Sequence, residues 1–410
     1  MNDRCDVLVV GAGQGGAQVA ATLRQQEFSG TIGVVGDEPD APYERPALSK
    51  EYLAGEKPFE KMLLRPPAFW ADRRIDLVLG RRVVEVDAAG HRVRLEDGAA
   101  IAYGKLVWAT GGAPRLLSCG GHELRGVHTV RSRADVDRLR AELATGQRVV
   151  VIGGGYIGLE AAAVLSKLGK RVTVVEALDR VLARVAGEEL SRFYEAQHRA
   201  HGVEVRLGAA VACIEEANGA ASGVRLASGE VLPAEIVVVG IGITPATGSL
   251  AAAGARSPEE TGGVLVDLQC KTSLPDVWAV GDCAAHPNVH ARGKIVRLES
   301  IQNANDQATV AAKSIVGKSD RYEAIPTFWS NQFDLKLQTV GLSRGFDATA
   351  VRGKPDERRF SIVYFREGKV VALDCVSAMK DYVQGKALIA SGRAFDPAAV
   401  AGAAELKSLL

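Results

Sequence analysis

The chain has 410 residues, enough for two or three domains at roughly 150 residues each. Its 50 Lys and Arg against 49 Asp and Glu leave a formal net charge of +1, which gives no global pull toward nucleic acid or an acidic membrane surface. At 24% charged and 47% hydrophobic residues, the composition excludes a mostly disordered chain.

In chain order, Asp6–Val10 is a short apolar run rich in β-branched residues and reads as a strand. It is too short for the apolar segment of a secretory leader, so the cytoplasm is the default compartment. The run enters Gly11-Ala-Gly13-Gln-Gly15-Gly16, and Val19, Ala20 and Leu23 mark one face of a following helix. Thr31–Val35 reads as the next strand and ends at Gly36-Asp37-Glu38. Lys105–Trp108 is a strand that runs through Ala109 and Thr110 into the turn Gly111-Gly112. The opening pattern then repeats. Arg148–Ile152 enters Gly153-Gly154-Gly155-Tyr156-Ile157-Gly158, a helix carries Leu159, Ala162, Ala163 and Leu165, and the strand Arg171–Val175 closes at Glu176. Ala234–Val239 is a further strand, leading into Gly240 and Gly242; the uncharged stretch around it is broken by Pro245 and by glycines and does not read as a membrane span. Val277–Val280 ends at Gly281-Asp282. Beyond Pro326, Phe328–Phe333 and the alternating run Arg359–Phe365 predict an antiparallel sheet, and a last helix-prone stretch begins near Asp381.

The repeated strand–glycine turn–helix has a specific physical use. The first glycine permits the tight turn, the second lets the backbone approach a pyrophosphate, and the third lets helix and strand pack closely. The helix N-terminus presents N–H groups and partial positive charge to the phosphates. An acid about 20 residues on, Asp37 in one copy and Glu176 in the other, accepts from a ribose hydroxyl. The pattern predicts an α/β protein with two Rossmann-like dinucleotide-binding domains and a small α+β C-terminal domain. The expected boundaries are 1–113 and 240–322 for the first nucleotide domain, 114–239 for the second and 323–410 for the last. The 45 glycines, above the usual ~7%, fit tight turns and close backbone approaches.

The six cysteines (Cys5, Cys119, Cys213, Cys270, Cys283 and Cys375) include no CxxC or CxxxxC pair, which argues against a redox dithiol and a zinc ribbon. The seven histidines are scattered along the chain, and no metal site is expected.

Several motifs together carry a resemblance: GAGQGG at Gly11–Gly16, GDE at Gly36–Glu38, YERPALSK at Tyr43–Lys50, LVWATGGAPR at Leu106–Arg115, VVVIGGGYIGLE at Val149–Glu160, AVGDCA at Ala279–Ala284, RLESIQNANDQ at Arg297–Gln307 and FWSNQF at Phe328–Phe333. The chain resembles the pyridine-nucleotide-dependent flavoprotein reductases of glutathione-reductase-like architecture. Within them it is similar to the FAD-dependent NADH:ferredoxin reductases of bacterial oxygenase systems, the putidaredoxin reductase and aromatic dioxygenase reductase family. The resemblance implies that FAD, held non-covalently, occupies the first site. Gly11, Gly13, Gly15 and Gly16 would take its pyrophosphate with Arg45 and Arg131, Asp37 its adenosine ribose, and Val83 its adenine. Ala109, Thr110 and Gly111 would line its path, Asp282 would bond the ribityl chain, and Glu299 and Ile301 would approach the ring edge. NADH would lie on Gly153, Gly155, Tyr156, Ile157 and Gly158, with Glu176 on its ribose and Gly242 nearby. Lys50 beside the flavin, Glu160 near the nicotinamide and Trp329 packed on the ring would form the catalytic set.

The activity so implied is transfer of electrons from NADH through FAD to a 2Fe–2S ferredoxin that serves a cytochrome P450 or a ring-hydroxylating dioxygenase. No nucleic acid or membrane partner is expected, and the chain would be a monomer or weak dimer. A rubredoxin or monodehydroascorbate-type reductase, or a redox signalling flavoprotein like the apoptosis-inducing factors, remains open at this stage. Two finer expectations follow. Glu176 should favour NADH over NADPH, with Arg180 and Arg184 softening its repulsion of a 2′-phosphate. Arg65, Arg73, Arg74, Arg292, Lys294, Arg297 and Lys336 should form a basic docking face for an acidic ferredoxin.

Overall fold

The computed structural model describes residues 3–410, and the chain forms two compact units. The first unit takes the chain up to Glu44, then Glu60–Ala113 and Thr244–Phe328; the second takes Arg45–Phe59, Pro114–Ile243 and Trp329–Leu410.

In the first unit, the strand Arg4–Val10 runs parallel to Ile32–Val35 on one side and Ala100–Trp108 on the other, with Ile75–Val78 and Val277–Ala279 extending the sheet outward. The hairpin Val83–Asp87 and Arg92–Leu95 pairs antiparallel with the start of Ala100–Trp108. Both faces of this sheet are covered, which is why Val7–Val10 reads as a continuous apolar run. Val7 and Val9 join a core with Val19, Ala20 and Leu23 of the helix Gln14–Gln25 and with Ala308 and Ala311 of the helix Ile301–Ile315. Leu8 and Val10 face the other way, toward Val86, Val93, Leu95 and Ile101.

The second unit repeats the scheme. Arg148–Ile152 lies between Arg171–Val175 and Ile236–Val239, with Glu204–Arg206 and Val127–His128 at the edges, all parallel. A three-stranded antiparallel sheet (Val211–Ala217, Ala220–Leu226, Val231–Pro233) packs its apolar side, Ile214, Val224 and Leu232, with Val150, Val237 and Val239. The C-terminal antiparallel sheet has five strands in the order Thr327–Gln332, Leu335–Gly341, Lys369–Val376, Arg359–Arg366, Ala348–Lys354. The helix Met379–Ser391 lies on it and starts just ahead of the expected Asp381, which sits in its first turn where a carboxylate suits the helix dipole. The segment Arg45–Phe59 belongs to this unit: Tyr52 donates to Asp137 at 2.6 Å, and Lys167 pairs with Glu56 at 2.7 Å.

Candidate functional site

The first glycine turn is shaped by steric necessity. Gly11 has φ +113°, and a Cβ there would lie 2.3 Å from the Ala109 carbonyl oxygen. A Cβ on Gly16 would lie 1.9 Å from the Gly11 carbonyl oxygen, so helix and strand meet only because no side chain intervenes. The helix Gln14–Gln25 starts at Gly13 with no side-chain cap and no acid in its first turn. No carboxylate of the helix therefore competes for its N-terminal N–H groups, and the end suits a phosphate. Asp37 stands two residues beyond the strand Ile32–Val35 and is exposed, 3.9 Å from Arg82 Nε. Of the other residues assigned to this dinucleotide, Val83 is buried at the head of the outer hairpin, Thr110 donates to the Ala246 carbonyl at 2.7 Å, and Gly111 has φ +64°. Asp282 occupies a 3-10 turn, Glu299 accepts from Arg297 at 2.7 Å, and Ile301 opens the helix Ile301–Ile315.

The second turn follows the same geometry. Gly153 has φ +107°, and a Cβ there would lie 2.3 Å from the Gly240 carbonyl oxygen; one on Gly158 would lie 2.1 Å from that of Gly153. Gly155 caps the helix Tyr156–Lys167, again with no side-chain cap and no acid in the first turn. A Cβ on Gly155 would meet no atom within 4 Å, so this position opens outward. Tyr156 and Ile157 form the first helical turn, and Gly242 has φ +99° with open space beside it. The Glu176 carboxylate accepts from the Gly154 N–H at 2.7 Å and from the Leu178 N–H at 2.9 Å, which fixes it against the turn. Because the third glycine of each turn has backbone where a methyl would go, Gly16→Ala or Gly158→Ala should cost about 1–3 kcal/mol or more. Gly16→Ala should yield protein largely depleted of bound flavin, measured by absorbance after purification; full flavin occupancy would overturn this account of the turn.

The three residues assigned to the catalytic set meet in the second unit. Lys50 Nζ lies 2.5 Å from Glu160 Oε2, with the two residues 7% and 2% exposed. The same ammonium sits 5.0 Å from the centroid of the Trp329 ring, a cation–π distance, while Trp329 itself is 42% exposed. Glu160 also accepts from Ser49 Oγ and Ser330 Oγ, each at 2.6 Å, and Lys50 donates to the Pro46 carbonyl at 3.0 Å. The buried carboxylate thus has an opposite charge and two hydroxyl donors, which is what a buried charge requires. Arg45 donates to the Arg131 carbonyl at 2.7 Å, so the two arginines assigned to the pyrophosphate are neighbours.

Comparison with known proteins resolves the family. The family described as pyridine nucleotide-disulphide oxidoreductase matches residues 5–308, and one described as reductase C-terminal matches residues 327–410. The chain belongs to the pyridine nucleotide-disulphide oxidoreductases. It is 57% identical to the 5,5'-dehydrodivanillate O-demethylase ferredoxin reductase subunit of a Sphingobium strain, over 95% of this chain and 94% of that one. Among solved structures, it resembles the ferredoxin reductase for the CYP199A2 system from Rhodopseudomonas palustris (TM-score 0.94, 38% identity, 100% of both chains). It resembles equally the putidaredoxin reductase of a covalent complex with putidaredoxin (TM-score 0.94, 37% identity, 100% of this chain and 98% of that one).

In this oxidoreductase the six cysteines are free, and burial pushes the Cys5 and Cys283 thiols up to about 11 and Cys375 to about 12. A thiol that resists ionisation is a poor nucleophile, so these three are packing groups. Two expectations about arginines need correction. Arg297 is not a docking charge: its guanidinium donates to the Asp282 and Thr261 carbonyls at 3.0 Å and to Glu299, and its side chain is 13% exposed. It braces the turn that carries Asp282. Arg180 is not free to reach a 2′-phosphate beside Glu176, because it donates to Ser191 Oγ at 2.6 Å and to the Ala186 and Ala183 carbonyls at 2.9 and 3.2 Å. Arg184 is exposed. Arg65, Arg73, Arg74, Arg292 and Lys294 of the first unit are exposed, as is Lys336 of the second. Ser49 and Ser330 were not singled out by the sequence reading; both lie inside quoted motifs, but nothing in a linear pattern joins a hydroxyl to a carboxylate 111 or 170 residues away.

Proposed function

We propose that this oxidoreductase takes electrons from NADH through non-covalently bound FAD and delivers them to a 2Fe–2S ferredoxin that supplies an oxygenase. The observation that carries this reading is the pair of uncapped glycine-turn helices, each with its own acid, in a chain whose relatives over nearly its whole length include ferredoxin reductases at 56–57% identity, against 36–37% for rubredoxin reductases. Bound FAD would supply hydride acceptance and single-electron release, chemistry the protein orients and does not itself perform.

The residues then have separable tasks. The first glycine turn and Asp37 bind one dinucleotide, with Val83, Thr110, Asp282, Glu299 and Ile301 completing its contacts within the first unit. The second turn and Glu176 bind the pyridine nucleotide. The Lys50 ammonium, desolvated and fixed by Glu160, supplies positive charge without needing to reorganise, and such charge is worth most where water is excluded. Glu160, buried by Ser49, Ser330 and Lys50, holds that ammonium in position and does not need to transfer a proton. The Trp329 indole shields one side of the ammonium.

We place the protein in the cytoplasm, where NADH and reduced ferredoxins turn over. Among the described residues no helix is long and apolar enough to cross a membrane.

The deciding experiment follows NADH oxidation and ferredoxin bleaching together. Purified 2Fe–2S ferredoxins should accelerate NADH consumption at least tenfold over the rate with oxygen alone, and each NADH should reduce two ferredoxins. Steering between exposed arginines and an acidic carrier should make this turnover fall as salt rises, because the Debye length shrinks from ~10 Å at 0.1 M to ~3 Å at 1 M. NADH oxidation that no ferredoxin accelerates would overturn the assignment.

A further inference from the structure

Between Glu176 and the helix Glu188–Ala200 runs a loop, residues 177–187, that is tied at several points to the second glycine turn. Leu178 N–H donates to Glu176, and Leu182, at φ +55°, donates its N–H to the Gly154 carbonyl at 2.9 Å. Arg180 gathers the far half of the loop through the Ala183 and Ala186 carbonyls and Ser191. The loop ends at Gly187, the N-cap of the helix Glu188–Ala200.

At that point the C-terminal sheet takes hold. The Gly187 N–H donates to the Tyr364 phenol oxygen at 3.3 Å. A Cβ on Gly187 would lie 2.7 Å from that oxygen, so the approach is as close as a glycine permits. The phenol is itself oriented: its proton goes to Asp374 Oδ2 at 2.7 Å, which turns the oxygen lone pairs toward Gly187. Asp374 is 3% exposed, and its other oxygen accepts from Thr339 Oγ1 at 2.7 Å. Tyr364 is fully buried, with Phe346 edge-on at 5.0 Å. Alongside, Phe193 packs edge-on against Phe360 at 4.8 Å and Thr349 donates to Glu189 at 3.1 Å. A carboxylate buried in the C-terminal sheet thus aims a hydrogen-bond acceptor at the end of a loop whose beginning carries Glu176.

We propose that the Tyr364–Asp374 pair is a positioning device for the nucleotide-ribose loop, through which the C-terminal sheet sets affinity for the pyridine dinucleotide. The proposal rests on the reading that Glu176 holds that ribose. Tyr364 touches no nucleotide itself; it acts through Gly187 and the short loop that returns to Gly154. Removing the phenol oxygen leaves a buried N–H and a buried carboxylate each short of a partner, and the loop then gains freedom that nucleotide binding must quench.

The test measures NAD+ and ADP-ribose binding to the flavin-loaded enzyme by calorimetry, with exchange of amide hydrogens in residues 177–187. Tyr364→Phe should weaken both ligands about fivefold to tenfold and raise exchange in the loop. Its kcat at saturating NADH should stay within about twofold, so that the change appears in KM. Gly187→Ala should weaken binding as well, and the double variant should be no worse than the poorer single one, because losing the phenol oxygen removes its conflict with the new methyl. Arg352→Met serves as a control for domain stability. It deletes another buried donor of the same sheet, one that bonds Asp381 and the Ala403 carbonyl at 3.2 and 2.9 Å, and it should lower the melting temperature with affinity unchanged. If Glu176→Ala weakens binding while Tyr364→Phe and Gly187→Ala do not, the positioning role is wrong and the ribose assignment survives. If Glu176→Ala itself has no effect, both fall.

Discussion

Glu160→Leu should destabilise the second unit by about 3–5 kcal/mol, because it strands the Lys50 ammonium in a site where neither residue exceeds 7% exposure. Ser49 and Ser330 lose their acceptor at once, and Lys50 is left with only the Pro46 carbonyl. Glu160→Gln keeps an acceptor oxygen and should cost roughly half as much. The double variant Lys50→Met/Glu160→Leu should recover most of the loss, since an apolar pair of similar volume commonly replaces a buried ion pair at little cost. Urea unfolding of each variant measures these differences. Flavin reduction by NADH, followed by stopped-flow absorbance, should remain slow in the double variant although its stability returns, because the fixed positive charge is gone. A double variant as fast as wild type would remove Lys50 and Glu160 from the electron-transfer machinery and leave them as a packing feature.

Discrimination between the two pyridine nucleotides should be sharp. Glu176 is held by two backbone N–H groups, so it cannot swing away from an incoming 2′-phosphate, and Arg180 is committed to its own loop. A fixed like charge costs about 2–3 kcal/mol, which corresponds to roughly 30- to 150-fold preference for NADH in kcat/KM. Glu176→Ala should narrow the gap, but not by improving NADPH alone. The same substitution releases the Gly154 and Leu178 amides, so NADH should also bind less well. Glu176→Gln, which keeps an acceptor for Gly154 while dropping the charge, should narrow the gap with a smaller loss for NADH. Equal kcat/KM for both nucleotides in the unaltered enzyme would refute this reading.

The fold was legible where a residue has one physical use. A glycine with backbone where its Cβ would go has no substitute, and Gly11, Gly16, Gly153 and Gly158 all stand at such positions. Buried parallel strands announce themselves as unbroken apolar runs, as at Val7–Val10 and Val149–Ile152. The pairing of Lys50 with Glu160 was not legible, although both residues were singled out, because their 110-residue separation is closed only by the folded chain. The arginines were the least readable. A guanidinium looks the same in sequence whether it faces solvent or carbonyl groups; Arg297 braces the distant turn that carries Asp282, and Arg180 ties its own loop. Tyr364 and Asp374 gave no signal beyond strand alternation, since their meaning lies in Gly187, far upstream.

The strand Val277–Ala279 and the helix Ile301–Ile315 impose an order on biosynthesis. The first parallel sheet is begun by Arg4–Val10, yet its flank beside Leu106–Trp108 stays open until Val277–Ala279 arrives. The helix Gln14–Gln25 likewise waits for Ile301–Ile315, to which Gln14 is joined by a 2.9 Å bond to Asn305. The second parallel sheet, by contrast, lies wholly within Val127–Val239. On a ribosome that emits roughly 5–20 residues each second, the later-encoded nucleotide fold is therefore complete several seconds before the earlier one. During that interval the nascent first sheet exposes an unpaired hydrophobic edge, the kind of surface that chaperones hold and that aggregates when they do not.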